Sequence, residues 1–162
     1  MKRKIVRATL SMISLATLFV VVVPAVHAAE TCSNTKAAGD WGFTLNGTLI
    51  LPTGPVPGAA SGRVSADAAG NISGTEARNV GGGFAGETIT GSWTVNSDCT
   101  STVNVNIYES GVLVRTSVLA AVFVGNSSKI RAVQESLTLP DGTNVPAVIT
   151  VDGNKLFRED SD

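Results

Sequence analysis

From Trp41 onward the chain alternates apolar and polar residues, and that two-residue period limits what it can fold into more than any other feature. Trp41, Phe43, Leu45, Leu49 and Leu51 share one parity, while Thr44, Asn46 and Thr48 share the other. Ile89, Gly91, Trp93 and Val95 alternate with Thr90, Ser92, Thr94 and Asn96, and Val103, Val105 and Ile107 with Asn104, Asn106 and Tyr108. Side chains along a strand point to opposite faces in turn, so each run has one oily and one wet face. The abundance of Val, Ile and Thr suits a pleated, half-buried surface.

Gly, Asn, Asp and Ser punctuate these runs at Ala69-Gly70-Asn71, Ser97-Asp98, Ser110-Gly111, Gly125-Asn126, Asp141-Gly142 and Asp152-Gly153. These residues tolerate left-handed backbone or close local Asx turns. The spacing predicts consecutive antiparallel hairpins with strands near 41–51, 56–66, 71–79, 86–96, 101–109, 112–124, 129–139 and 144–158. No crossover helices separate them, which excludes a parallel βαβ architecture. The fold class is therefore all-β: an antiparallel up-and-down barrel of about eight strands, with a β-sandwich as the alternative. Pro52, Pro55 and Pro57 lack ladder donors and predict a loop or frayed edge over 52–58.

The first 28 residues are written differently. Lys2, Arg3, Lys4 and Arg7 precede an uncharged stretch over 8–23, Pro24 interrupts it, and Val26-His27-Ala28 supplies small side chains for cleavage. This is the pattern of a secretory signal, too short in its apolar part for a membrane anchor. The expected division is a signal peptide over 1–28 and a single β-barrel domain over 29–162, exported to the periplasm or the medium. Setting those four bases aside leaves 8 Lys+Arg against 13 Asp+Glu, net −5, and no histidine, because His27 also lies in the leader. An acidic chain lacks the basic face a nucleic-acid partner requires. Without imidazole there is no Ser-His-Asp or Cys-His catalysis and no histidine metal site. No cofactor, metal site or catalytic residue is expected.

Cys32 and Cys99 are the only cysteines. In an oxidising compartment they predict one disulfide, closing a 67-residue loop. Ser33-x-x-Lys36 has the spacing of a penicillin-binding nucleophile but sits beside Cys32, outside any helical domain, and is taken as coincidence. The sequons at Asn46, Asn71 and Asn126 are expected to be bare.

Gly39-Asp40-Trp41-Gly42-Phe43 with Asn46-Gly47, following a lone cysteine, pairs with Gly91-Ser92-Trp93-Thr94-Val95-Asn96-Ser97-Asp98-Cys99-Thr100. Together they resemble a group of small exported bacterial proteins with a calycin-type, allene-oxide-cyclase-like β-barrel. The resemblance spans roughly residues 32–130. It implies the barrel and no particular activity. Ser101 departs from the glycine that often follows the Cys-Thr pair in that group.

Charges written into strand interiors are the candidate site. Glu76 and Arg78 share parity with Ile72 and Val80, Arg115 with Leu113, Leu119 and Phe123, and Glu135 and Arg131 with Val133, Leu137 and Leu139. On an inward face such charges need partners or a ligand. Glu76, Arg78, Arg115 and Glu135 are accordingly the expected ligand-binding residues. The functional expectation is a non-enzymatic barrel holding a small apolar molecule. The alternatives are a cyclase- or isomerase-like enzyme using a lumen carboxylate such as Glu135, and a self-associating envelope protein. The last rests on Val112–Val124, which is apolar on both parities and wants cover on both faces, from the chain itself or from a second copy.

Overall fold

The computed structural model describes residues 31–156; the segment 1–28, expected to be a signal peptide, and the acidic tail lie outside the described residues. Eight strands follow one another in a closed antiparallel barrel: β1 (Gly39–Leu51), β2 (Gly54–Ala66), β3 (Asn71–Val80), β4 (Gly83–Val95), β5 (Thr100–Glu109), β6 (Val112–Val124), β7 (Lys129–Thr138) and β8 (Ala147–Lys155). Each strand pairs with its neighbours in sequence, and β8 closes on β1 from Trp41↔Lys155 to Leu49↔Ala147. The barrel is thus the up-and-down form. Closure removes every sheet edge, which for a chain so rich in β-formers also removes the template for aggregation.

The Pro-rich segment is more ordered than its composition predicts. Gly54, Pro55, Val56 and Pro57 already pair with β1. On the other side β3 begins its pairing only at Gly58↔Val80. The prolines sit where β2 overhangs its neighbour, so their missing N–H groups cost no ladder bond. Asp152-Gly153, expected as a turn, lies inside β8, where Gly153 pairs with both Phe43 and Ile130. A Cβ there would come within 2.6 Å of Ile130 Cγ2, so the glycine serves close packing.

One end of the barrel is sealed. Helix α1 (Asn34–Ala37) is a single turn capped by Ser33, whose Oγ accepts the Lys36 N–H at 3.3 Å. The Ser-x-x-Lys spacing is therefore a helix cap. Asn34 staples the turn in place: its Nδ2 donates to Ala69 O and its Oδ1 accepts the Val95 N–H. Ala37 is fully buried, and its carbonyl accepts the Trp41 Nε1–H at 2.9 Å. Trp41, Trp93 and Phe123 meet edge to face, with centroids 5.3–5.8 Å apart, and form the floor of the lumen. The Cys32–Cys99 disulfide ties this end together.

Candidate functional site

Above that floor runs a cavity of about 470 Å³, within the range that takes a small ligand. It extends from Trp41, Trp93 and Ile72 to the hairpin end, where Leu51, Val80, Glu109, Leu139 and Val145 line it. Apolar strand faces supply most of the wall, as the period-two pattern requires. Phe43, Leu45, Leu49, Ile149 and Val151 come from β1 and β8, and Ile130, Ala132 and Leu137 from β7.

The opposite wall carries the charge. Cross-strand register places Glu76 of β3 directly against Glu87 of β4, with Gly62 of β2 on its other side. A Cβ at Gly62 would lie 2.8 Å from Phe43 Cζ, so the glycine lets the Phe43 ring pack over β2. Two like charges directly opposite each other on one face repel. Arg115 of β6 resolves the conflict: its Nη1 and Nη2 fork onto Glu87 at 2.7 Å each, and Nη2 also reaches Glu76 Oε1 at 2.8 Å. Arg78 adds Nε to Glu87 at 2.6 Å and Nη2 to Glu109 at 3.1 Å. The Glu87 side chain is wholly inaccessible, that of Glu76 is 3% exposed, and the two arginines are largely covered.

This arrangement drives the two buried carboxyls apart. Burial lifts Glu76 to about 7 against the pull of Arg115, and the facing Glu87 adds to the rise. Burial alone would raise Glu87 too, but hydrogen bonds from Arg115 and Arg78 outweigh it and hold that carboxyl below its ordinary range. Its hydrogen bond to Glu87, against the opposing effect of burial, pushes Arg78 upward. One buried acid is thus a fixed anion and its neighbour titrates close to neutrality, the kind of pairing that acid–base chemistry and proton-linked binding both use.

Of the four expected site residues, Glu76, Arg78 and Arg115 converge and Glu135 does not. Val118 pairs with Ser136 but Leu119 with Gln134, so Glu135 is the extra residue of a β-bulge. The bulge breaks the parity that tied Glu135 and Arg131 to Leu137. Ile130, Ala132 and Gln134 face the lumen instead, Glu135 is exposed, and Arg131 pairs outside with Asp152. Glu87 and Glu109 belong to the site although the expected set omits them. Parity alone identifies both, since Glu87 continues the face of Ile89 and Trp93, and Glu109 that of Val105 and Ile107.

A second bulge lies on β6, where Ile107 pairs with Arg115 but Tyr108 with Leu113, leaving Val114 extra. Beyond Arg115, Thr116 and Ser117, β6 is apolar on both faces. Ala121 and Phe123 are buried inside, while Val122 and Val124 are 38% and 40% exposed on the outer face, paired with Arg131 and Lys129 of β7.

Among the described residues no helix is long and apolar enough to cross a membrane. No family model matches the chain, and no curated protein matches its sequence. A solved structure that does match is that of the S-type phycobiliprotein lyase CPES from Guillardia theta, 8% identical, over 78% of this chain and 92% of that chain, with a TM-score of 0.46.

Proposed function

We propose that this protein is an exported, disulfide-pinned container that holds one small, largely apolar molecule in its lumen. The observation that carries this reading is the cavity of about 470 Å³, floored by Trp41 and Trp93 and walled by aliphatic side chains on most of its circumference. Small barrels fill their interiors with side chains unless the lumen has a use. The test is a fluorescence titration with the neutral apolar dye N-phenyl-1-naphthylamine. Saturable one-site binding, displaced by decanol and lost in Ala132→Phe, supports the container; absence of saturable binding to folded protein overturns it.

The Cys32–Cys99 bridge supports export, since such bonds persist in oxidising compartments. Cell fractionation with N-terminal sequencing tests both the compartment and the cut after Ala28. The calycin-type, allene-oxide-cyclase-like group is the family reading that accords with the barrel.

A second reading, a cyclase- or isomerase-like enzyme, is favoured by one observation: a buried carboxyl poised near 7, Glu76, beside a cavity. Turnover of a bound apolar substrate that disappears in Glu76→Gln while binding persists would establish it. Self-association through the outer face of Val112–Val124 is a separate proposal, motivated by the exposed Val122, Val124 and Val133. Light scattering of the purified protein decides it, and a monomer at high concentration removes it.

A further inference from the structure

The two ends of the barrel differ in charge. Four hairpin ends meet at the open mouth, over 50–57, 79–86, 110–114 and 137–148, and among them they hold a single ionisable residue, Asp141. Pro52, Pro55, Pro57, Pro140 and Pro146 fall in the same stretches. The closed end is charged, with Asp67 and Asp98 in its turns, Lys129 and Lys155 at strand ends, and the Arg63–Asp40 ion pair beside them.

A broken ring of bare apolar side chains surrounds that mouth. Ile50 of β1, Phe84 of β4, Val112 of β6 and Val148 of β8 are between 45% and 74% exposed, and each is one of the two residues nearest the mouth in its strand. The apolar side chains exposed elsewhere are placed differently: Val122 and Val124 pair with bases toward the closed end, and Val133 stands on the wall between Ala120 and Thr150. An apolar ring of this kind marks a contact surface.

Charge decides what the surface fits. The ionisable groups nearest the mouth, Glu109 and Asp141, are both acids, while Arg78 lines the lumen and is bonded to Glu87 and Glu109. A second copy seated mouth to mouth would bring the same two acids from each side with no base between them. An anionic surface meets the same repulsion, reinforced by the net −5 over 29–162. A zwitterionic phospholipid layer presents its ammonium groups outermost, carries no net charge, and takes apolar side chains at the boundary between head groups and acyl chains. Proline suits that boundary, because it brings no N–H to desolvate.

We infer that the open rim docks on a zwitterionic phospholipid surface, with Ile50, Phe84, Val112 and Val148 entering the layer and the mouth of the lumen facing it. The hold is apolar rather than electrostatic, so added salt leaves it intact. Docking depends on the rim and not on what the lumen holds, so it stands or falls apart from the container reading.

Vesicle flotation tests it, on the chain over 29–162, so that the apolar stretch over 8–23 does not partition by itself; the barrel is complete within the described residues. Phosphatidylcholine vesicles should float the protein at low and high salt alike, and admixed phosphatidylglycerol should weaken the binding. Phe84→Ser should lower the partition coefficient about tenfold, and adding Val112→Ser should lower it several-fold further. Val133→Ser, also exposed but away from the mouth, should change nothing. Ile50→Ser replaces any rim variant that loses the barrel's circular dichroism. No flotation with phosphatidylcholine, flotation that needs phosphatidylglycerol and vanishes in high salt, or equal weakening by Phe84→Ser and Val133→Ser overturns the inference. So does a lipid-free dimer, seen by light scattering, that Phe84→Ser dissolves, since it assigns the rim to a second copy. Dye uptake without flotation leaves only the container standing, and flotation without dye uptake leaves only the docking.

Discussion

Glu76→Gln keeps the shape of the side chain and its capacity to accept from Arg115 while removing the lumen carboxyl whose pKa burial raises most. Its effect on stability follows from linkage. In the unfolded chain this carboxyl titrates near 4.5, and in the barrel burial lifts it to about 7. Below 4.5 both states carry the proton and Glu76 contributes no pH dependence. Between 4.5 and 7 the unfolded chain has released its proton and the folded chain retains it, so stability falls as pH rises; above 7 the full loss is present. A displacement of this size corresponds to roughly 3 kcal/mol, and the side chain is only 3% exposed, so solvent screens little of it. Glutamine does not titrate and escapes the decline. Urea unfolding at pH 4, 6 and 8 measures both proteins. Whatever the offset at pH 4, the substituted protein should gain on the parent by about 2–3 kcal/mol between pH 4 and pH 8. Stability curves that stay parallel over that interval would refute the account of Glu76 as a buried, proton-retaining acid.

Arg115→Met strips the fork from Glu87 and the bond from Glu76 together. At pH 7 the loss should reach about 3–5 kcal/mol by urea unfolding, and it should be smaller at pH 4, where protonation relieves the unpaired acids. Trp41→Phe and Trp93→Phe should differ: the first breaks the bond to the Ala37 carbonyl, whereas Trp93 Nε1 has no hydrogen-bond partner among the described residues. Thermal unfolding should rank the Trp41 substitution as worse by about 1 kcal/mol, the size of an ordinary net hydrogen bond. Replacing Cys32 and Cys99 by serine frees a 67-residue loop and should lower stability by roughly 4 kcal/mol, read as a fall in urea midpoint with the barrel's circular dichroism retained.

The architecture was legible because barrel strands write their two faces into alternate positions. Trp41 and Phe43, Ile89 and Trp93, and Val103 and Ile107 all face inward as their parity demands. Parity also placed Glu76, Arg78 and Arg115 on the inner face. It failed at Glu135, because a bulge inserts one residue and exchanges the faces beyond it, and nothing in Gln134-Glu135-Ser136 marks that insertion. Closure itself was not written locally either. The pairing of β1 with β8 joins residues 98 to 114 positions apart, and only the absence of any long return connection argued for it. The opposition of Glu76 to Glu87 required strand register, which the turn at Gly81 and Gly82 sets and a single strand's pattern cannot.

The stapled turn of Asn34–Ala37 over the tryptophan floor makes the lumen a blind well. Traffic into it is single-ended: a guest leaves by the rim it crossed on arrival, and two guests cannot pass. A chain-shaped guest seated with its polar group at the charged wall would slide in hydrocarbon first and withdraw polar end first. Passage of a bound chain between two such wells facing mouth to mouth would therefore require the molecule to turn end over end on the way.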